Sequence, residues 1–454
     1  MAQDATLDVQ TFLNERPFSG FQWTIFGLCF CIVLLDGFDT GAIGFIAPSL
    51  LTEWGIERAA LGPVLSAALF GLAFGALSAG PLADRLGRRA VLVASVLVFG
   101  VACLASGFSG SLTQLVTLRF VTGLGLGAAM PNAVTLMSEY CPDHRRATLT
   151  NTMFCGFPVG AAVGGFLAAW MIPQFGWRSV LYLGGAAPVV LVVLLVLLMP
   201  ESVRYMVAER YPAERIRAVL RRISTVVPDA TNFVMHERAV ATEAKSSVGV
   251  VLSREFIVGS VMLWIAYFMG LVIIYGLINW MPLLLRDAGL SPGLASVVSA
   301  LFSLGGLGAV VSGWLMDRFN ANRVIALCYI LAAVAVAAIG QLTGALFLLV
   351  VVVLVGGALT NTAQSSLPAL AAAFYPTHGR ATGVAWMLGL GRFGGIAGSF
   401  LVAELTGMRL TFSQIFMVLA VPAVVSGAAL MVKQMAHPED RKAFAAAKGE
   451  ALGH

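Results

Sequence analysis

Four charged side chains sit among apolar and small neighbours. Asp36 and Asp39 lie in "LLDGFDTGAIGFIAP" (Leu34–Pro48), Arg119 opens "RFVTGLG" (Arg119–Gly125), and Arg392 is in "GLGRFGG" (Gly389–Gly395). Carboxyls and guanidinium groups held away from water support two kinds of chemistry. Burial raises a carboxyl pKa and a nearby cation lowers it, so a carboxyl whose cation partner changes can take up and release a proton. A guanidinium can hold a carboxylate through two parallel hydrogen bonds. Asp36 and Asp39 are three residues apart and share a helix face, separated by about 4.5 Å of rise. Gly37, Gly41 and Gly44 beside them let another helix or a ligand approach the backbone.

The elements that carry these residues follow from composition. The chain has 454 residues, of which 59% are hydrophobic and 11% charged, and its mean hydropathy is +0.88. A soluble domain has about 25% charged residues. A surface this poor in charge does not face water, and the chain reads as an integral membrane protein. Met1 to Gln22 is polar, with Asp4, Asp8, Glu15 and Arg16, so no cleaved leader is expected. The net charge of +5 is read as a topology signal and not as a sign of nucleic-acid binding. Cys29, Cys31, Cys103, Cys141, Cys155 and Cys328 form no CxxC pair and read as small core hydrophobes. The histidines are scattered, so no metal site and no cofactor is expected.

Twelve apolar segments approach the roughly 20 residues that span a bilayer. They are 22–46, 61–82, 90–108, 112–137, 149–171, 178–199, 257–284, 293–316, 323–341, 345–370, 381–405 and 411–433. This divides the chain into an N-terminal segment 1–21, a six-helix half 22–200, a central loop 201–256, a second six-helix half 257–433 and a tail 434–454. With the N-terminus inside, the inner segments carry 22 of the 28 Lys and Arg residues. The outer loops carry only Arg58, Arg178, Arg286 and Arg409. The asymmetry places both termini in the cytoplasm.

The halves repeat. "GPLADRLGRR" (Gly80–Arg89) recurs as "GWLMDRFNANR" (Gly313–Arg323), and "PDHRRAT" (Pro142–Thr148) as "PTHGRAT" (Pro376–Thr382). Pro48 matches Pro282, and Gly160 and Gly164 match Gly394 and Gly398, at an offset of 233 or 234 residues throughout. Two duplicated six-helix halves are a transporter architecture, which implies rocking of one half against the other around a midplane site. The repeat also supplies an internal control. At an offset of 234, Asp36 faces Gly270, Asp39 faces Ile273, Arg119 faces Val353 and Arg392 faces Pro158. None of the four charges is required by the shared architecture. Each costs at least about 2.5–3.5 kcal/mol near the bilayer centre, so function is the default reading.

Depth refines the pairing. Arg119 is about seven residues into span four, and Asp36 and Asp39 are about seven to ten below the outer end of span one. All three lie about 10–15 Å from the outer face, so an ion pair between spans one and four is allowed. The alternative to proton carriage is an ion pair that only fixes packing. Arg392 lies near mid-depth, where glycines clear space, and is read as the anchor of a substrate carboxylate. Its alternative is a partner for one of the aspartates. Tyr275, Asn279, Asn361, Gln364 and Trp386 offer aromatic and amide walls, with Asn132 on span four, though each also reads as packing. Glu139, at the inner end of span four, joins the proton-coupling candidates or pairs with inner-loop arginines.

The repeated loop reads as a gate. It comprises Gly80, Asp84, Arg85, Gly87 and Arg88, with Asp317 and Arg318 in the second copy. Asp84 can cap the N-terminus of a helix in the other half, where the helix dipole favours an anion. Asn320 stands where the first copy has Gly87, so the second gate is expected to be looser.

"GPLADRLGRR" and "RFVTGLG" resemble two signature motifs of the major facilitator superfamily. "LLDGFDTGAIGFIAP", "GLGLGAAMPN" (Gly123–Asn132), "WIAYFMGLVIIY" (Trp264–Tyr275) and "GRATGVAWMLGLGRFGG" (Gly379–Gly395) resemble its aromatic acid:proton symporters, most of all transporters of 4-hydroxybenzoate and protocatechuate. The resemblance covers nearly the whole chain. It implies an all-α fold of twelve transmembrane helices in the bacterial inner membrane, acting as a monomer without cofactor. It assigns Arg119 to a proton-coupling motif and makes span eleven the partner of Asp84. The expected function is proton-coupled import of aromatic carboxylates by alternating access. Benzoate, gentisate, vanillate and muconate remain open as substrates. The alternatives are a proton-coupled exporter and a membrane sensor of aromatic acids that does not transport them. No nucleophile–base or metal cluster suggests an enzyme.

Overall fold

The computed structural model describes residues 6–224, 232–234, 247–308, 319–342, 344–375 and 377–437. In chain order the elements are β1 (Thr6–Asp8), α1 (Val9–Asn14), α2 (Gly20–Trp54), α3 (Leu61–Leu86), α4 (Arg88–Ser106), α5 (Leu112–Glu139), α6 (Asp143–Phe154), α7 (Gly156–Phe175) and α8 (Arg178–Leu198). The connection after α8 holds α9 (Val203–Ala208), α10 (Ala213–Arg221), β2 (Asn232–Val234) and α11 (Ser247–Val251). Then follow α12 (Ile257–Asp287), α13 (Pro292–Leu304), α14 (Ala321–Ile339), α15 (Leu346–Phe374), α16 (Thr377–Gly407) and α17 (Phe412–Ala436). Among the described residues, eleven helical stretches are long and apolar enough to cross a membrane. The twelfth expected span, 293–316, begins as α13 and continues as a short 3-10 turn to Gly308. Its remainder, and Asp317 and Arg318 just beyond it, lie outside the described residues.

Three stretches differ from their sequence reading. The first span was expected to end at 46, but α2 runs through Pro48 to Trp54. Proline is tolerated inside a membrane helix because neighbouring groups re-satisfy the freed backbone carbonyl. The fifth span, expected over 149–171, is broken at Cys155 between α6 and α7. Pro158 has no N–H to offer the Phe154 carbonyl, so the turn at the junction of α6 and α7 lacks that helical bond. The connection after span six is partly folded. Ser202 caps α9 by accepting from Tyr205 N, and β2 pairs in parallel with β1. At the other end of the chain, Asp8 caps α1. Val9, Phe12 and Leu13 of α1 then enter one buried cluster with Ile216 and Leu220 of α10 and Leu136 and Met137 of α5.

Contacts divide the chain into two compact units. The first holds residues 1–42, 67–164 and 174–239, and the second holds 43–66, 165–173 and 240–454. Within each, large apolar side chains stay exposed, such as Phe74, Leu77 and Leu197 in the first and Val334 and Phe347 in the second. These belts suit hydrocarbon as the surrounding solvent.

The repeated glycines are packing positions. A Cβ on Gly160 would lie 1.8 Å from the Leu34 carbonyl oxygen, and one on Gly394 would lie 2.2 Å from that of Phe268. Leu34 and Phe268 are themselves 234 residues apart. The same holds for Gly123 against Ala68 and Gly357 against Phe302, each at 2.0 Å. The duplication therefore reuses the same backbone-to-backbone contacts in both units. Even one methyl group would push these helices apart.

Candidate functional site

In the first unit, the close contact at Gly160 presses α2 against α7 and fixes the rotation of α2 that turns Asp39 inward. Asp39 is 1% exposed, and Arg119 of α5 is fully buried. Arg119 Nη1 donates to Asp39 Oδ1 at 2.8 Å and Nη2 to Oδ2 at 2.5 Å. This is the two-pronged geometry in which a buried ion pair is tolerated. Asp36 is buried one helical turn away on α2. Sequence spacing left either aspartate as the partner of Arg119, and the geometry selects Asp39. A third group, not picked out from sequence, joins them. The Cys103 thiol of α4 donates to Asp39 Oδ1 at 3.3 Å.

Glu139 stands apart from this pair. It is twenty residues further along α5, about 30 Å at 1.5 Å per residue. Its Oε1 meets Arg88 Nη1 at 2.8 Å, and its Oε2 accepts from the Ser202 hydroxyl. The structure thus follows the alternative reading, a partner for a loop arginine. Next to it, Glu201 Oε1 accepts from the backbone N–H groups of Arg88 and Arg89 at 3.0 and 3.1 Å. A carboxylate there caps the N-terminus of α4 and complements the helix dipole. Gly87 makes the approach possible. It has φ of 92°, which favours glycine, and a Cβ there would lie 2.6 Å from Glu201 Oε2. Tyr140 donates to the Glu201 carbonyl. Burial, reinforced by the Glu139 and Glu201 carboxylates, keeps this hydroxyl protonated well above the usual tyrosine range. The Arg85 carbonyl accepts from Tyr205 at 3.3 Å. Glu201 and Ser202 escaped the sequence reading, although Glu201 is the first charged residue after span six. Gly80 and Asp84 lie on α3, but their side chains fall outside the described residues, so the cap expected from Asp84 does too.

The second unit holds the other set. Arg392 of α16 is flanked by glycines that face two tyrosines of α12. A Cβ on Gly391 would lie 2.1 Å from the Tyr267 ring, and one on Gly395 would lie 2.6 Å from the Tyr275 ring. Gln364 of α15 donates to the Tyr267 carbonyl at 3.2 Å and accepts from the Tyr329 hydroxyl at 2.7 Å. Gly270, which stands where the first half has Asp36, leaves room for that bond. A Cβ on it would lie 1.9 Å from Gln364 Oε1. Trp386 meets Trp264 with ring centroids 5.8 Å apart. The glycines on either side of Arg392 thus lie against aromatic rings of α12. The Gln364 amide of α15 is bonded to Tyr329 of α14 and to the Tyr267 backbone. A guanidinium with rings and amides in one unit is chemistry suited to an aromatic carboxylate.

The remaining amides have protein partners, Asn279 on a neighbouring helix, Asn361 on its own helix and at Phe302, and Asn132 on its own helix. Asn279 Nδ2 donates to Ser399 Oγ at 2.8 Å, Asn361 Nδ2 to the Gly357 carbonyl at 2.9 Å, and Asn132 Nδ2 to the Ala128 carbonyl at 2.9 Å. Tyr267, Tyr329 and Trp264 were not singled out from sequence. The glycines at 391 and 395, spaced one turn apart, were the available signal for facing rings.

The second unit also contains a tie between residues 43–66 and the end of α12. Arg58 Nη1 meets Asp287 Oδ2 at 2.8 Å, and Arg286 Nη1 donates to the Pro48 carbonyl at 2.8 Å. Beneath it, a Cβ on Gly44 would lie 2.6 Å from the Ile278 carbonyl oxygen.

The family model described as Major Facilitator Superfamily matches residues 29–339 and 263–453. A 4-hydroxybenzoate transporter of Pseudomonas aeruginosa is 51% identical over 436 residues, covering 96% of this chain and 97% of its own. A gallate transporter of Pseudomonas putida is 46% identical, covering 94% and 95%. Among solved structures, a D-xylose–proton symporter superposes with a TM-score of 0.70 at 16% identity, covering 90% of this chain and 97% of its own. A bacterial homologue of the human lysosomal transporter Spinster superposes with a TM-score of 0.71 at 15% identity, covering 93% and 99%.

Proposed function

The chain belongs to the Major Facilitator Superfamily, a family of membrane transporters and not of enzymes, and on that premise we propose that it imports aromatic carboxylates together with protons by alternating access. The substrates we propose are 4-hydroxybenzoate, for which a relative is named, and protocatechuate, which the sequence motifs suggest, and the guanidinium and rings near Gly391 and Gly395 suit both. We place it in the bacterial inner membrane, on the strength of its bacterial relatives, as a functional monomer, and we place both termini in the cytoplasm on the distribution of Lys and Arg.

The observation that carries the coupling is the buried Asp39–Arg119 pair. Helix packing repeats between the halves, and this pair does not. A proton from outside neutralises Asp39 and releases Arg119. The substrate carboxylate pairs with Arg392, the site reopens toward the cytoplasm, and both cargoes leave. Ionised Asp39 then recaptures Arg119 and resets the cycle. Uptake of labelled 4-hydroxybenzoate into vesicles with an imposed pH gradient tests this. Accumulation is expected with the gradient and none after a protonophore collapses it. Uptake indifferent to the protonophore sinks the coupling, and failure of aromatic acids to compete sinks the substrate class.

The Arg58–Asp287 tie is assigned to closure of the outer end. It accounts for the placement of Arg58 and Arg286 on the side of the membrane that carries few cations. The ion pair is partly exposed, so it is worth at most about 1 kcal/mol. Arg58→Gln is therefore expected to favour outward opening and lower the half-saturating substrate concentration by about two- to fivefold. An unchanged or higher value in initial-rate uptake counts against the assignment.

A further inference from the structure

The Cys103 thiol has two acceptors within the reach of a sulfur donor. One is Asp39 Oδ1 at 3.3 Å, and the other is the Leu181 carbonyl of α8 at 3.6 Å. A thiol carries a single proton to donate, so it serves one of them at a time. Cys103 is 1% exposed, and among the described residues it forms no disulfide. The repeat separates its role from packing. At an offset of 234 its counterpart is Ala337, so the cysteine, like Asp39 and Arg119, occurs in one half only. By contrast, Phe38, next to Asp39, meets Gly164 and Gly184, and Gly164 has a repeated counterpart in Gly398.

We infer that Cys103 is a positioning residue of the proton site. Its thiol donates to Asp39 while that carboxylate is ionised, and it turns to the Leu181 carbonyl when Asp39 is protonated. The step needs only rotation about the Cβ–Sγ bond. The thiol keeps its own proton, and the transported proton binds a carboxylate oxygen of Asp39. Among the described residues, the charged or titratable groups placed near Asp39 are few. Arg119 comes from α5, Cys103 from α4, and Asp36 lies one turn away on α2 itself. The residues of α7 and α8 seen against this part of α2, which include Phe157, Gly160, Gly164 and Gly184, do not titrate. A donor to the ionised form favours that form. Cys103 therefore helps keep Asp39 ionised until the proton arrives, and it supplies the neutral carboxyl with no competing donor afterwards.

The inference rests on Asp39 being the proton carrier, and its test separates the two claims. Gradient-driven uptake of labelled 4-hydroxybenzoate is measured over a pH series above the substrate's own carboxyl range, with membrane abundance of each variant checked. Cys103→Ala removes the donor and is expected to move the midpoint of the profile upward by roughly half to one pH unit. Cys103→Ser restores a donor and is expected to bring the midpoint back to the wild-type value or below. Cys103→Val, a second side chain without a donor, is carried beside alanine so that poor expression of one leaves the comparison standing. A maximal rate that falls with an unmoved midpoint shows that the thiol only fills space and overturns the inference. So does a serine variant that shifts upward as far as alanine. Asp39→Asn in the same assay tests the underlying reading. If it retains gradient-driven accumulation, the carrier assignment fails. If it loses accumulation while the cysteine variants leave the midpoint unmoved, only the role of Cys103 fails.

Discussion

Asp39→Asn is expected to reduce gradient-driven accumulation to none while leaving exchange of substrate across the membrane. Asparagine has nearly the shape of the acid and keeps an oxygen for Arg119, but it cannot bind and release a proton. One proton moving down a gradient of one pH unit supplies about 1.4 kcal/mol, enough for about tenfold accumulation. In the variant that ratio falls to one. Breaking a buried ion pair from one side costs about 3–5 kcal/mol in general, because the remaining charge stays buried. The measurement must therefore include the amount of folded protein in the membrane. Counterflow, in which preloaded unlabelled substrate drives entry of label, reports the surviving exchange. Accumulation in the variant at the wild-type ratio removes Asp39 from the mechanism. Loss of both accumulation and counterflow from a folded protein makes the pair a structural pin.

Arg392→Lys is expected to act on a different quantity. Lysine keeps the charge but loses the planar fork that grips both carboxylate oxygens. A hydrogen bond to a charged group contributes about 1.5–3 kcal/mol, so the half-saturating concentration should rise about 10- to 100-fold. The accumulation ratio at saturating substrate should stay near wild type, since the proton site lies in the other unit. Benzoate and 4-hydroxybenzoate share the carboxylate and should lose affinity by the same factor. A large loss for one and a small loss for the other places Arg392 at the ring substituent. The two variants thus carry opposite signatures. One loses driving force with binding retained, and the other loses binding with driving force retained.

Much of this was legible in the sequence for physical reasons. Long apolar runs are unambiguous because the bilayer demands them, and four charges inside them stand out against a uniform background. The duplication separated architecture from work before any coordinates. The glycines that recur at 160 and 394 press on equivalent carbonyls, whereas Asp39 and Arg119 have no counterparts. Other features stayed hidden. Asp36 and Asp39 share a helix face, and only the rotation of α2, set by Gly160 against Leu34, decides which meets Arg119. Cys103 was invisible because a thiol in an apolar run is counted as one more hydrophobe. The helices α9 and α10 were missed because they are short, polar and folded against α1, a contact that composition does not encode. Tyr267 and Trp264 belong to an aromatic-rich run in which sequence does not say which rings face α16.

The Asp39–Arg119 pair has a further consequence for energetics. Under the proposed mechanism Asp39 is the one carboxyl whose protonation changes per cycle, and the proposed cargo is a monoanion. One proton and one negative charge would then cross together, and the proposed cycle is electroneutral. Membrane voltage acts only on net charge moved, at roughly 2.3 kcal/mol per elementary charge per 100 mV. Such a carrier draws on the acidity difference across the membrane alone. The steepest accumulation it can sustain equals the ratio of proton concentrations on the two sides. Accumulation that climbs with voltage at a fixed pH gradient requires a second protonating carboxyl, and Asp36 is the one in place.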